Sequence, residues 1–222
     1  MQYLYHKEAG RSTLLLKGDE HRYIFKVRRH REGEVMALRN LKDEKLYHYK
    51  IEHLDRKEAH LILDRTEVLV LKSKKKLHIG WCVIDPKSIE KVLPTLNEMG
   101  VERISFIYCQ RSQKSFKLDF SRFEKILLNS SQQSGRSEMM KLDMLKSLEL
   151  FLEQNPNSMV LNFSKILLTK DDDIETMVIG CEGGFSEEEM AWFKTEQIKG
   201  LDSPLILKSE SAVCAVASKL LL

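Results

Sequence analysis

Cysteine is scarce and scattered in this chain. Its four cysteines, Cys82, Cys109, Cys181 and Cys214, never fall into a CxxC or mixed Cys/His spacing. That excludes the common structural zinc modules, so no metal is expected. Cys82 and Cys109 lie inside apolar runs and read as small core residues. Long hydrophobic runs are lacking as well. No stretch reaches the roughly 18–20 apolar residues that a membrane-spanning helix needs, and residues 1–11 carry no apolar signal core. No membrane association is expected, and a reducing cytoplasmic location fits this composition. Charge of one sign is not in excess either: 36 Lys and Arg face 33 Asp and Glu, for a net charge of +3. Overall charge therefore does not specify a polyanionic partner. There is no GxGxxG and no Walker pattern, which disfavours a dinucleotide or triphosphate site. Internal repeats and low-complexity segments are also missing.

What is present is enough apolar material for a sizeable core. Hydrophobic residues make up 42% of 222 residues, which suits one or two domains. Local charge is more telling than the total. Lys26, Arg28, Arg29, His30 and Arg31 form one basic cluster, and Lys72, Lys74, Lys75 and Lys76 form another. Such clusters either neutralise phosphates or are simply solvated surface.

Short apolar runs at 13–16, 35–38, 47–51 and 60–63, broken by polar turns such as Arg31-Glu32-Gly33-Glu34, predict a small all-β domain over residues 1–71. The basic run at 72–76 marks the crossing into a second domain, 72–222, where strands and helices alternate. Residues 77–84 predict a buried strand. Asp85 then offers an N-cap, Pro86 the first helical position and Gly100 the stop, with Pro94 expected to kink the helix. A strand is predicted at 104–109, helices at 123–133 and 145–152, and strands at 159–163, 177–180 and 204–207. Ser186 and Glu189 form a capping box for a helix through Phe193, and a last helix covers 212–221. This alternation implies an α/β fold class with a mostly parallel sheet.

Chemistry is suggested at strand ends, where open α/β sheets bind ligands. Gly180-Cys181-Glu182-Gly183-Gly184-Phe185 follows a predicted strand and precedes a capped helix. Its glycines either let backbone approach a ligand or make a tight turn. Leu205-Ile206-Leu207-Lys208-Ser209-Glu210-Ser211-Ala212 runs from a predicted strand into a helix start. There Ser209 reads as a site residue or as an N-cap, and Glu210 as favoured by the helix dipole. Gln110-Arg111-Ser112 and Gln132-Gln133-Ser134-Gly135-Arg136 offer side chains suited to phosphate and base contacts, or else surface.

Taken in order, these pieces resemble the RsmE family of bacterial 16S ribosomal RNA uridine-N3 methyltransferases, of the SPOUT class. That family shows Gly-Pro-Glu-Gly-Gly-Phe, matched at 180–185, and Ile-Leu-Arg-Thr-Glu-Thr-Ala, matched at 206–212. Its Glu-Leu-Gly-Val followed by a strand and Arg-Ser is matched by Glu98-Met99-Gly100-Val101 and Arg111-Ser112. Its Glu-Gln-Ser-x-Arg is matched at 132–136, and an N-terminal His to Gly pattern loosely at 21–33. Cys181 stands where the family has Pro, Lys208 where it has Arg, and Ser209 and Ser211 where it has Thr. The resemblance implies an N-terminal PUA-like β-barrel that grips RNA, followed by a C-terminal SPOUT domain with a trefoil knot. It implies S-adenosylmethionine as cofactor, 16S ribosomal RNA or the small ribosomal subunit as substrate, and a homodimer.

On this resemblance Leu161, Asn162, Phe163, Gly180, Glu182, Gly183, Gly184, Leu205, Ile206, Leu207 and Ser209 are expected to hold the cofactor. Arg11, Lys26, Arg28, Arg29, Arg31, Gln133 and Arg136 are expected to hold RNA. Glu182 and Glu210 are candidate proton acceptors, and Arg111, Arg136 and Lys208 candidate cations for a uracil anion. A knotted ribose 2′-O methyltransferase and a non-catalytic RNA-binding assembly protein are the competing readings. The apolar final helix, with Val213, Val216, Leu220 and Leu221, is the expected dimer surface.

Overall fold

A computed structural model describes residues 2–222, which cluster into two compact units. The first comprises residues 2–72 together with Ser131–Glu138, and the second Ser73–Ser130 with Met139–Leu222.

In the first unit, β1 (Leu4–Tyr5), β2 (Thr13–Lys17), β3 (Val35–Arg39), β4 (Lys45–Leu54) and β5 (Glu58–Val68) form a five-stranded sheet in the order β1-β3-β4-β5-β2. Only the β1–β3 pair is parallel. Leu14 and Leu16 point inward while Thr13, Leu15 and Lys17 face water, the period of two that a half-buried strand requires. Tyr49, Ile51, Ala59 and Leu61 form the fully buried centre. Register shifts at His48/Tyr49 and Ile51/His53 bend β4, as bulges do. Against the all-β expectation, α1 (Gly18–His21) follows β2 and runs into a π-helical turn at Arg22–Val27. The segment 131–138 joins this unit through β1: Gln132 O accepts the Gln2 N–H at 3.0 Å, and Gln132 Oε1 accepts the Tyr5 N–H at 2.8 Å.

The second unit is built on a six-stranded, fully parallel sheet. Its strands are β6 (His78–Cys82), β7 (Arg103–Ile107), β8 (Lys141–Leu145), β9 (Met159–Leu161), β10 (Thr176–Ile179) and β11 (Ile198–Lys199), ordered β11-β9-β10-β6-β7-β8. β6, β7 and β10 are almost continuously buried, as parallel strands covered on both faces are. Helix α2 (Pro86–Met99) begins as its sequence demands. Asp85 Oδ2 accepts the Ser88 N–H at 3.0 Å, Pro86 opens the first turn, and Gly100 closes it at φ 96°. Helices α3 (Phe120–Ser134), α4 (Leu148–Gln154), α5 (Glu187–Met190) and α6 (Ser209–Leu221) complete the chain.

Four expectations need correction. Residues 204–207 form no strand. Leu205 and Ile206 are 74% and 81% exposed, so this apolar run is not packed into the sheet, and the strand of this region is the two-residue β11. Residues 141–145 are a strand, and α4 begins only at Leu148, where Ser147 Oγ accepts the Leu150 N–H. The helix at the capping box stops at Met190 rather than Phe193. Val213, Val216 and Leu220 are buried at 0–3% inside their own unit, so they offer no free dimer surface. Among the described residues, no helix is long and apolar enough to cross a membrane.

Candidate functional site

A parallel sheet delivers the ends of its strands to one edge, and three loops meet there within the second unit. They are 161–164 after β9, 179–185 after β10, and 200–209 between β11 and α6. Together they line a cavity of about 470 Å³, within the usual range for small-molecule sites. Leu161, Phe163, Ile179, Leu201, Leu205, Ile206 and Leu207 supply apolar wall, and Asn162, Ser164, Ser203 and Ser209 are among its polar residues. Glu182 and Lys208 are its charged lining residues.

Two features hold the loops together. Ser209 is 5% exposed, donates its Oγ–H to the Gly180 carbonyl at 2.5 Å and accepts the Trp81 Nε1–H at 2.9 Å. It is not an N-cap: that position belongs to Lys208, whose side chain makes no capping bond. Ser209 instead ties the start of α6 to the end of β10 and to β6. The second feature is Gly200. A side-chain carbon there would lie 2.2 Å from the Ser164 carbonyl oxygen, so the two loops touch through bare backbone. Hydrogen bonds from Gly200 N to Ile166 O (2.8 Å) and from Leu168 N to Gly200 O (2.7 Å) fix that approach.

Beneath the glycine loop, Cys109 Sγ and Cys181 Sγ are 3.6 Å apart. The contact with Cys109, together with burial, pushes the Cys181 thiol up, so it stands in the cavity wall as a neutral group. Arg111 reaches the same loop: its Nη1 donates to the Gly183 carbonyl at 2.7 Å. Among the described residues, no group of three or more His, Cys, Asp or Glu could hold a metal ion.

The model of the RNA methyltransferase domain matches residues 71–221, and that of the RNA methyltransferase PUA domain matches 16–64. This chain belongs to the RNA methyltransferase family. Within it, a ribosomal RNA small subunit methyltransferase E from Helicobacter pylori strain J99 is 38% identical over 222 residues, covering 98% of each chain. The fold is shared with a methyltransferase from Legionella pneumophila solved with bound SAM (TM-score 0.79, 23% identity, 98% of this chain and 95% of that one). It is shared too with a ribosomal RNA small subunit methyltransferase E from Neisseria gonorrhoeae bound to S-adenosyl methionine (TM-score 0.80, 17% identity, 98% and 95%).

Of the residues expected in an RNA methyltransferase's cofactor site, Leu161, Asn162, Phe163, Gly180, Glu182, Gly184, Leu205, Ile206, Leu207 and Ser209 all line the cavity. Gly183 does not; it faces Arg111, whose Cβ would lie 3.3 Å from an added side-chain carbon. Among the catalytic candidates, Glu182 and Lys208 line the cavity, and Arg111 sits one hydrogen bond away. Glu210 is absent from the lining, and its Oε2 is buried without a hydrogen bond. Arg136 belongs to the first unit and is 6% exposed. Arg11, Lys26, Arg28, Arg29, Arg31 and Gln133 are all exposed. Gly200, Leu201, Ser203 and Ser164 line the cavity without having been singled out. A glycine just after Ile198-Lys199 was the available signal, but a two-residue strand has no periodicity to announce it.

Proposed function

We propose that this chain transfers the methyl group of S-adenosylmethionine to N3 of a uridine in the 16S ribosomal RNA of the small subunit. The observation that carries the reading is the three-loop cavity at the strand ends, on a chain 38% identical along its length to a ribosomal RNA small subunit methyltransferase E. The lining fits the cofactor: leucine faces suit a planar adenine, backbone groups can read its edge, and Asn162, Glu182 and Ser203 offer polar contacts. Bound there, the cofactor supplies an electrophilic methyl on a sulfonium centre. The trefoil knot belongs to this reading. So does the homodimer, supported by the exposed Phe163, Leu205 and Ile206 rather than by α6. A cytoplasmic location belongs to it as well. Calorimetry with S-adenosylmethionine and a chelator tests the cofactor assignment. Binding is expected, and no binding by the folded protein, with or without RNA, overturns it.

The chain's own groups would do two things. N3 of uracil carries a proton at neutral pH and is a poor nucleophile, so the site has to orient the base and favour its deprotonated form. Arg111 would stabilise the negative charge that develops on the uracil, a role supported by its hydrogen bond to the glycine loop, with Lys208 as a second cation at the cavity. Glu182, which lines the cavity, would be the carboxylate that accepts the proton, whereas Glu210 would serve as a helix-start residue.

The first unit would hold RNA mainly by charge. Arg28 donates to the Tyr23 hydroxyl at 2.8 Å and lies over its ring at 5.3 Å, which leaves a cation displayed beside an aromatic face. Arg29 is exposed in left-handed backbone, φ 62°. An Arg28→Ala/Arg29→Ala variant should bind RNA more weakly, with the log–log salt slope reduced by about 1–2. An unchanged slope in a filter-binding series would place the RNA surface elsewhere.

A further inference from the structure

Glu189 does more than cap α5. In the capping box its Oε2 accepts the Ser186 N–H at 2.9 Å, while Ser186 Oγ accepts the Glu189 N–H at 3.1 Å. That would satisfy a surface helix start. Yet Glu189 is only 1% exposed, and its second oxygen accepts the Gln110 N–H at 2.7 Å. Burying a carboxylate is costly unless its oxygens are matched by donors. Here one donor comes from each of two separate loops, one after β7 and one after β10.

The loop so anchored carries Arg111. Gln110 Nε2 donates to Glu188 Oε2 at 2.7 Å, and Arg111 Nη1 donates to Gly183 O at 2.7 Å. The Arg111 stem lies on bare backbone: a side-chain carbon at Gly183 would meet Arg111 Cβ at 3.3 Å and Cδ at 3.5 Å. Ser112 closes the turn, its N–H donating to Cys109 O at 3.1 Å. α5 therefore holds the residue before Arg111 at two points, and only the Glu189 carboxylate holds it by its backbone.

We infer that Glu189 is a positioning residue for methyl transfer, acting through the Gln110 N–H to fix Arg111 against the glycine loop. The inference rests on the proposed role of Arg111. It predicts what Glu189→Gln does. A glutamine keeps one acceptor oxygen and turns an amide toward the other site, so either the Ser186 or the Gln110 N–H then faces a donor. Ser186→Ala is the control, because it breaks half of the capping box and leaves the carboxylate on Gln110.

The test compares Glu189→Gln, Ser186→Ala, Arg111→Ala and the Arg111→Ala/Glu189→Gln double variant in the full chain. Turnover is measured across pH, and hydrogen exchange at Gln110 is measured alongside. Glu189→Gln should lower kcat by about 10- to 100-fold, the scale of a small misplacement. It should show the same recovery with rising pH as Arg111→Ala, and speed exchange at Gln110. The double variant should be no slower than Arg111→Ala within about twofold, since both act through one group. Ser186→Ala should stay within about threefold of the parent with its pH profile unchanged. If Glu189→Gln does not fold, Gly183→Ala crowds the Arg111 stem by a separate route and should give the same pH signature. Losses that multiply in the double variant, or a Ser186→Ala variant that reproduces Glu189→Gln, would overturn the positioning role while leaving Arg111 in place. Full activity in Arg111→Ala would remove both.

Discussion

Gly200→Ala should cost this protein most of its affinity for S-adenosylmethionine. The new methyl would sit 2.2 Å from the Ser164 carbonyl oxygen, far inside contact distance, and the atom it meets is backbone that cannot swing aside. Gly200 is itself pinned on both sides, to Ile166 O and by Leu168 N. The loops at 161–164 and 200–209 must then separate, and both line the cavity. Overpacking of this kind costs about 1–3 kcal/mol. Taken up at the binding site, that is a loss of about 5- to 150-fold in Kd. Calorimetry checks it, with circular dichroism to show that the variant is folded. Parent affinity in Gly200→Ala would mean that the cofactor does not depend on this junction.

The second large effect concerns the proton on N3. Arg111→Ala should lower turnover at neutral pH by about 100- to 1,000-fold, the scale found when one preorganised donor is removed from a developing anion. Activity should climb as pH rises, because uracil then deprotonates without help. Cofactor affinity should stay within about threefold, since Arg111 lies beside the cavity and does not line it. Glu182→Gln separates the alternative. If a carboxylate takes the proton, this variant loses orders of magnitude while binding survives. If anion stabilisation dominates, it stays active. Full activity in both variants would place the reacting atoms elsewhere.

Much of this was legible in local chemistry. Asp85-Pro86 and Gly100 announced α2 because capping bonds lie within a few residues of each other. Ser186 and Glu189 announced α5 for the same reason. The glycine loop was legible as a strand-end site, and the family resemblance added its neighbours. What failed was whatever depends on distant partners. Leu205-Ile206-Leu207 reads as a buried strand only if protein covers it; here these side chains stand open around a cavity. β8 was missed because Asp143 interrupts its apolar residues and its burial is only partial. The apolar residues of α6 looked like a free surface because nothing local reveals that α2 and β10 pack against them. The pairing of 131–138 with β1 is a long-range bond pattern that no spacing rule contains. The second acceptor role of Glu189, too, needs the third dimension.

The most direct test is chemical. Purified protein is incubated with S-adenosylmethionine and small ribosomal subunits from a strain lacking the corresponding gene; the 16S ribosomal RNA is then digested and its nucleosides resolved by mass spectrometry. N3-methyluridine, absent without the protein, is the predicted product. A ribose-methylated nucleoside, or no new methyl group from folded protein that binds the cofactor, would contradict the account.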